Sequence, residues 1–373
     1  MRIIRNYSLP VRITSKFNLQ GNSSMTKSTI LLLIMMLALS AISLLTGAAD
    51  VGLREIAALD EEAMDTLLIS RLPRLLAILC TGAGMAIAGL LMQQLCANKF
   101  VSPTTGATIS SAQLGILVAL LFFPDSTLWE RAFCAFAAAL IGTWVFVWFV
   151  MRMPMKDVVM VPLVGIMFGN VIGGVTNFLA FKFDMTQALS TWLVGHFSLV
   201  LKGNYELVYL VMPLIVIAFV YAKHFNIVGM GKDFSKNLGV PYGVVLLCGL
   251  SIAAMMTASV VTVVGAISYI GLIVPNVVSL FKGDDLRATL ADTALLGAVF
   301  VLACDLVGRT IIAPYELPIE LIVGSVGSLL FIALIFYRLR FGRRAMTKDA
   351  LLQLFGLTRA QNPAFCSSCG GAR

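Results

Sequence analysis

Charge is scarce in this chain of 373 residues: Asp, Glu, Lys and Arg make up only 12% of it, about half the share found in a soluble globular domain. A water-exposed protein of this length needs more charge to cover its surface, so the deficit implies an apolar solvent. Histidine is scarcer still. His196 and His224 are the only two, far apart and without metal-ligand spacing, so neither a metal centre nor any cofactor is expected. The phosphate-cradling pattern G-x-x-x-x-G-K-[ST] is missing; Gly229-Met230-Gly231-Lys232-Asp233 has neither its length nor its hydroxyl. Uphill transport by such a chain would draw its energy from a partner or an ion gradient. Seven cysteines occur, but Cys80, Cys96, Cys134, Cys248 and Cys304 lie in apolar runs as small hydrophobes, and no disulfide framework is visible. Cys366 and Cys369 have redox or zinc spacing, yet one pair does not complete a tetrahedral site, and they read as part of an unstructured tail.

Apolar residues are what abounds, at 59% of the chain. Ten runs are long enough to cross about 30 Å of hydrocarbon: 28–48, 75–95, 103–123, 132–151, 158–181, 205–222, 242–262, 264–281, 293–312 and 317–337. Each reads as a helix, because an unpaired backbone group in lipid costs several kcal/mol. The expected fold is all-α, a polytopic membrane protein with about ten transmembrane helices. A domain over 28–337 is flanked by tails at 1–27 and 338–373. Net charge is +8, and with the N-terminus inside, 20 of the 27 Lys and Arg fall on the inner side. That asymmetry is a positive-inside signal and puts both termini in the cytoplasm; much of it sits in the tails. The basic excess is thus a topology signal, and no nucleic-acid partner is expected. Lys27 and the Thr46-Gly47-Ala48-Ala49 stretch give the first run some look of a signal peptide, but it exceeds the usual apolar region and nine spans follow it. Residues 1–24 are basic with no apolar period, and Met25-Thr26-Lys27 would be a conventional start. The expectation there is a disordered extension or a start-site artefact.

Several motifs occur in a fixed order. Arg71-Leu72-Pro73-Arg74 leads to Gly82, Gly84, Gly89 and Gln93, then to Asn98, Pro103 and Gly106. The series resembles the R-x-P-R…G…G…Q…N-P-L-A-x-P…G stretch of the FecCD/BtuC-type permeases, the membrane subunits of ABC importers for ferric siderophores, haem or vitamin B12. Residues 265–275, Gly-Ala-Ile-Ser-Tyr-Ile-Gly-Leu-Ile-Val-Pro, are similar to that family's G-x-I-x-F-I-G-L-I-x-P. Gly283-Asp284-Asp285-Leu286-Arg287, Asp305 with Arg309, and Glu316-Leu317-Pro318 follow in the family's order. The likeness covers roughly 28–340. Departures are Asn98-Lys99 for N-P, Pro275-Asn276 for P-H, Ser279 for an Arg, Asp285-Leu286-Arg287 for D-H-R, and Gly327-Ser328-Leu329-Leu330-Phe331 for a late G-x-P-F.

The resemblance implies a permease without catalysis of its own, in the bacterial cytoplasmic (inner) membrane. Its implied partners are a second, identical or homologous permease subunit, two cytoplasmic ABC ATPase subunits, and a periplasmic or lipid-anchored substrate-binding protein that delivers a ferric siderophore. By the same likeness Arg71, Arg74 and Arg309 would grip carboxylates of the binding protein, a task that suits rigid guanidinium forks. The alternative is snorkelling, or internal pairing with Asp305 and Glu55; Arg309 stands four residues after Asp305. The segment 226–240 resembles the family's ATPase-coupling segment. Gly229 and Gly239 would allow its turns, Asp233 and Ser235 stand near its usual Glu and Ala, and Phe234 with Leu238 would form an apolar anchor. Gln93, Asn170, Thr176 and Asn177 are unfavourable against lipid. The likeness puts the fifth span, with Gly165, Gly169, Asn170, Gly173 and Gly174, on the translocation route between two permeases; glycine packing is the alternative. Asn98 joins Gln93 as a candidate for path or gating, and Gly271 with Pro275 marks a kink or hinge.

Two other classes stay open at this point. An ion-coupled secondary transporter would show intramembrane carboxylates and unwound spans, and Asp305 is the one candidate. A membrane-embedded enzyme would need a His/Asp/Glu cluster within spans, which is missing from the sequence. No residue reads the cargo, so haem and vitamin B12 stand beside the siderophores.

Overall fold

A computed structural model describes residues 27–46, 61–125, 127–152, 160–198, 200, 206–312 and 315–354, with side chains described as far as Tyr337. The basic N-terminal stretch, the cleavage-like residues Gly47 to Ala49, Glu55 and the Cys366/Cys369 pair lie outside those residues.

Helices make up nearly everything described: α1 (Lys27–Leu45), α2 (Glu61–Thr66), α3 (Leu72–Leu95), α4 (Thr108–Phe122), α5 (Leu128–Arg152), α6 (Met160–Lys182), α7 (Thr186–Leu193), α8 (Val211–Gly229), α9 (Lys232–Asn237), α10 (Tyr242–Val263), α11 (Ile270–Lys282), α12 (Leu286–Thr310) and α13 (Ile319–Leu354). A π-helical turn over Leu67–Arg71 joins α2 to α3, and a 3₁₀ turn over Glu206–Leu210 leads into α8. Each of the ten expected runs holds a helix. Eight helical stretches are long and apolar enough to cross a membrane. The other two, α4 with 15 residues and α11 with 13, reach about 20 Å at 1.5 Å per residue, short of the roughly 30 Å of hydrocarbon.

The shortfall has a physical cause. Non-helical backbone precedes each short helix: residues 96–107, with Ala97 (φ 48°) and Ala107 (φ 60°) left-handed, and residues 264–269, with Gly265 (φ 98°) and Tyr269 (φ 67°) left-handed. Irregular backbone survives at membrane depth only where protein surrounds it. Asn98, Val101 and Ser102 in the first segment and Ile267 in the second are buried. The second segment is also paired: Val194 and Ala266 form an isolated parallel bridge, the Ala266 amide donates to Leu193 O at 3.1 Å, and the His196 amide donates to Val264 O at 3.0 Å.

At the centre stands α3, packed on α8, α10, α11 and α12. Small residues allow the approach. Gly82 on α3 and Gly297 on α12 meet backbone to backbone, and a Cβ on Gly89 would fall inside the backbone of Gly271 on α11. In lipid, such close packing replaces the hydrophobic drive that holds soluble helices together. Apolar faces of α1, α5, α6 and α13 stay exposed on the outside of the bundle. Both ends of α5 carry cation–π pairs: Arg131 lies 5.1 Å from the Trp192 ring centroid and Arg152 lies 5.0 Å from that of Trp148.

Candidate functional site

Charged side chains gather at the two ends of the bundle. At the end holding Leu45 and Thr310, Arg74 donates to both carboxylate oxygens of Glu316 (2.8 and 2.9 Å) and to Asp305 (2.8 Å). The second oxygen of Asp305 pairs with Arg309 at 2.7 Å. Arg309 also donates to Ser43 Oγ at 2.6 Å and to Thr46 O at 3.0 Å, and Arg71 donates to Leu44 O at 2.6 Å. These bonds tie α1, α3 and α12 to the residues entering α13. Asp305 is 4% exposed and Arg309 is 7% exposed, a burial that holds because the carboxylate is shared between two guanidinium groups. Arg74 and Glu316 reach further out, at 15% and 31%. With His196, Ser198 and Leu317 they line a cavity of about 240 Å³. All three arginines singled out from the sequence therefore lie at this end, Arg74 and Arg309 sharing Asp305, and all three are engaged within the chain.

The opposite end holds the turn expected for coupling. Gly231 (φ 108°) and Gly239 (φ 73°) sit in the left-handed region that favours glycine. Gly229 does not: it is the last residue of α8 and presses on α3, where a Cβ would stand 2.6 Å from Gln94 Nε2. The turn ahead of α9 thus rests on Gly231, and Gly229 is a packing residue. Ser235 is buried, its Oγ donating to Gly231 O (2.9 Å) and Ile227 O (3.1 Å), so it staples α9 to α8 and faces inward. Asp233, Phe234 and Leu238 point outward, with Phe234 46% and Leu238 55% exposed. Beside them Asn226 Nδ2 donates to Asp285 Oδ1 at 2.8 Å, while Asn226 Oδ1 accepts from Gln94 Nε2 and the Leu286 amide, both at 3.2 Å. Two ion pairs complete this end, Lys99 with Asp284 and Lys282 with Asp292.

Between the ends the candidate path residues separate into two groups. Asn170, Gly173, Gly174 and Asn177 recur at i, i+3, i+4 and i+7 on α6, so they form one stripe. Both asparagines are exposed, and a Cβ on either glycine would meet nothing within 4 Å among the described residues. Gly169 lies off that stripe, buried against Ala107 and Ser110. The second group is interior. Pro275 has no N–H, so the Gly271 carbonyl four residues earlier loses its helical donor. Gln93 supplies the missing one, Nε2 standing 3.1 Å from Gly271 O and 3.3 Å from Leu272 O. Asn98 is buried and caps its own loop by accepting from the Phe100 amide at 2.9 Å. Asn276 Nδ2, donating to Lys99 O at 2.8 Å, ties α11 to that loop. Gln93, Asn98, Gly271 and Pro275 thus make one internal knot around the short helix α11.

Residues 31–337 match the FecCD transport family. The chain belongs to that family. It is 45% identical over 307 residues to the petrobactin import system permease protein YclN of Bacillus subtilis (strain 168), covering 82% of this chain and 97% of that one. To the ferric-anguibactin transport system permease protein FatD of Vibrio anguillarum it is 35% identical over 305 residues, covering 82% and 97%. A chain of an ABC transporter solved in an inward-facing conformation shares the fold, with a TM-score of 0.73 at 22% identity over 83% of this chain and 98% of that one. This family member is accordingly a multi-pass ABC importer permease rather than an enzyme, and FecCD permeases work with a separate ATPase and a substrate-binding protein.

Sequence reasoning missed three features of this permease: the reach of Glu316 to Arg74, the repair of the Pro275 gap by Gln93, and the linking position of Asn226. The first two join residues far apart in the chain, and no local pattern signals such a pairing. Asn226 was visible as part of the coupling-like segment, though not its partners.

Proposed function

We propose that this permease carries a ferric siderophore inward across the bacterial cytoplasmic membrane, with both termini cytoplasmic, as half of a permease pair. The observation that carries the reading is the stripe of Asn170, Gly173, Gly174 and Asn177. Exposed amides against hydrocarbon are unfavourable, and a stripe of glycines that none of the described residues covers suits a neighbouring helix or a passing solute. A second permease copy meeting this stripe would enclose a polar-lined route between the two, with 28–337 as the transport domain and 338–373 as its cytoplasmic tail. The petrobactin and ferric-anguibactin relatives support an iron chelate as cargo.

The two ends then divide the labour. Outside, a substrate-binding protein docks over the Arg74–Glu316 surface, with Arg74 offering its fork to an incoming carboxylate while Arg71 and Arg309 hold the helix ends beneath. Inside, Asp233, Phe234 and Leu238, set by the turns at Gly231 and Gly239, present a knob to one ATPase subunit, and the second permease presents its own to the other. Closure of the ATPase pair would move α9, tilt the spans and open the route to the cytoplasm. The Gln93–Pro275 knot lets α11 bend without stranding a carbonyl in apolar surroundings, which suits a gating helix.

The test is uptake of a radiolabelled ferric siderophore into proteoliposomes holding the permease with its ATPase, fed by the binding protein. Uptake that needs ATP and stops when the ATPase is left out is the expected result. Uptake driven by a proton or sodium gradient without nucleotide would overturn it. Competition by haem or cobalamin, with no effect from iron chelates, would keep the importer and replace its cargo.

A further inference from the structure

We infer that Asn226 is the positioning residue that passes movement of the coupling helix to the outer docking face, through its hydrogen bond to Asp285 at the start of α12. The inference rests on the proposed function and adds the link by which its two faces communicate.

The chain of contacts is continuous. Ser235 fastens α9 to the last turn of α8 through Ile227 O at 3.1 Å, and Asn226 is the next residue back along α8. Its carboxamide is engaged three times, donating to Asp285 and accepting from Gln94 and the Leu286 amide. The bond to Asp285 has an ionised acceptor and belongs to the stronger class of hydrogen bonds. Asp285 is the N-cap of α12, its Oδ1 also accepting from the Arg287 amide at 3.0 Å. From that cap α12 runs 25 residues without a break, and it ends among Asp305 and Arg309. Asp305 lies 20 residues beyond Asp285, about 30 Å along a helix. A rod of that length, held at its base by Asn226 and bonded at its tip to Arg74, connects coupling loop and docking surface with two polar junctions. Displacement of α9 pulls the base of α12, and the Asp305–Arg74 pair at the far end feels it. The route also runs backwards, as linkage between two sites requires.

Asn226→Asp and the double variant Asn226→Asp with Asp285→Asn provide the test. The single change puts two carboxylates face to face. The double change restores the bond with donor and acceptor exchanged, the amide at position 285 now donating to the carboxylate at position 226. Complexes of permease, ATPase and binding protein are assayed for assembly, basal ATP hydrolysis, stimulation of hydrolysis by the loaded binding protein, and chelate taken up per ATP. For Asn226→Asp the expected result is that stimulation, measured against the variant's own basal rate, and uptake per ATP both fall about tenfold, within the usual span of inter-site coupling. The double variant is expected to recover both. Unchanged stimulation and uptake per ATP in Asn226→Asp overturn the inference, as does a double variant as defective as the single one. Should Asn226→Asp fail to assemble, Asp285→Ala removes the acceptor without opposing charges: the same tenfold losses support the inference and unchanged values overturn it. Failure of the proposed function reads differently, since the unaltered permease would then take up chelate without ATP.

Discussion

α3 and α6 are nearly the same length, equally apolar to the eye, and both rich in glycine, yet they occupy opposite situations. Eighteen of the 24 residues of α3 are buried, against five of 23 in α6. Glycines of α3 are spent on contact: Gly82 and Gly89 each meet another helix's backbone. Gly173 and Gly174 of α6 meet nothing within 4 Å among the described residues, and Asn170 and Asn177 flank them. Glycine in a membrane helix marks a place where something comes close. Whether that something is this chain, a second copy or a solute is decided by what lies in front of it.

Substitutions that treat the two helices alike should separate them. Gly89→Val drives two methyl groups into the Gly271 backbone and should cost about 3 kcal/mol or more, seen as loss of monodisperse protein and a lower unfolding temperature in detergent. Gly173→Trp should leave that temperature unchanged while cutting ATP-dependent uptake about tenfold, equivalent to roughly 1.4 kcal/mol, because its ring fills the space ahead of the stripe. An equal loss of stability in both would dissolve the distinction. Gln93→Leu keeps the volume of α3 but leaves the Gly271 carbonyl without its donor, and should cost about 1 kcal/mol; an unaltered unfolding temperature would remove Gln93 from the account of α11. The smallest effect has the opposite sign. Gly173→Ala gains backbone order at no steric cost and should stabilise the isolated chain by about 0.5 kcal/mol, whereas Gly89→Ala should already destabilise it.

Helical character was legible because lipid leaves the backbone few options: each of the ten apolar runs holds a helix, and eight helical stretches are long enough to span. The lengths of α4 and α11 were not. Residues 103–107 and 264–269 fall inside the apolar runs, and only burial under neighbouring helices lets them remain non-helical. The Asp305–Arg309 pair could be read from its spacing of four. Arg74 could not be paired in advance, since Glu316 lies 242 residues away. Within the coupling segment, the sequence offers three glycines at 229, 231 and 239. Backbone sterics choose 231 and 239 for the turns, whereas close packing against Gln94 claims 229. The α6 stripe, by contrast, stood in the sequence as a repeat of three and four, and the structure adds that none of the described residues covers its glycines.

The two cation–π pairs of α5 have a consequence for the membrane itself. Arg131 and Arg152 are 21 residues apart on one unbroken helix, which sets them about 30 Å apart along its axis, the thickness of an ordinary hydrocarbon slab. Aromatic rings and guanidinium groups both favour the headgroup zone, so the helix carries a gauge mark at each waterline. In a bilayer a few ångströms thinner, both marks keep their level only if the helix leans over. Lipid thickness therefore bears on the tilt of α5, alongside its packing on α4 and α10.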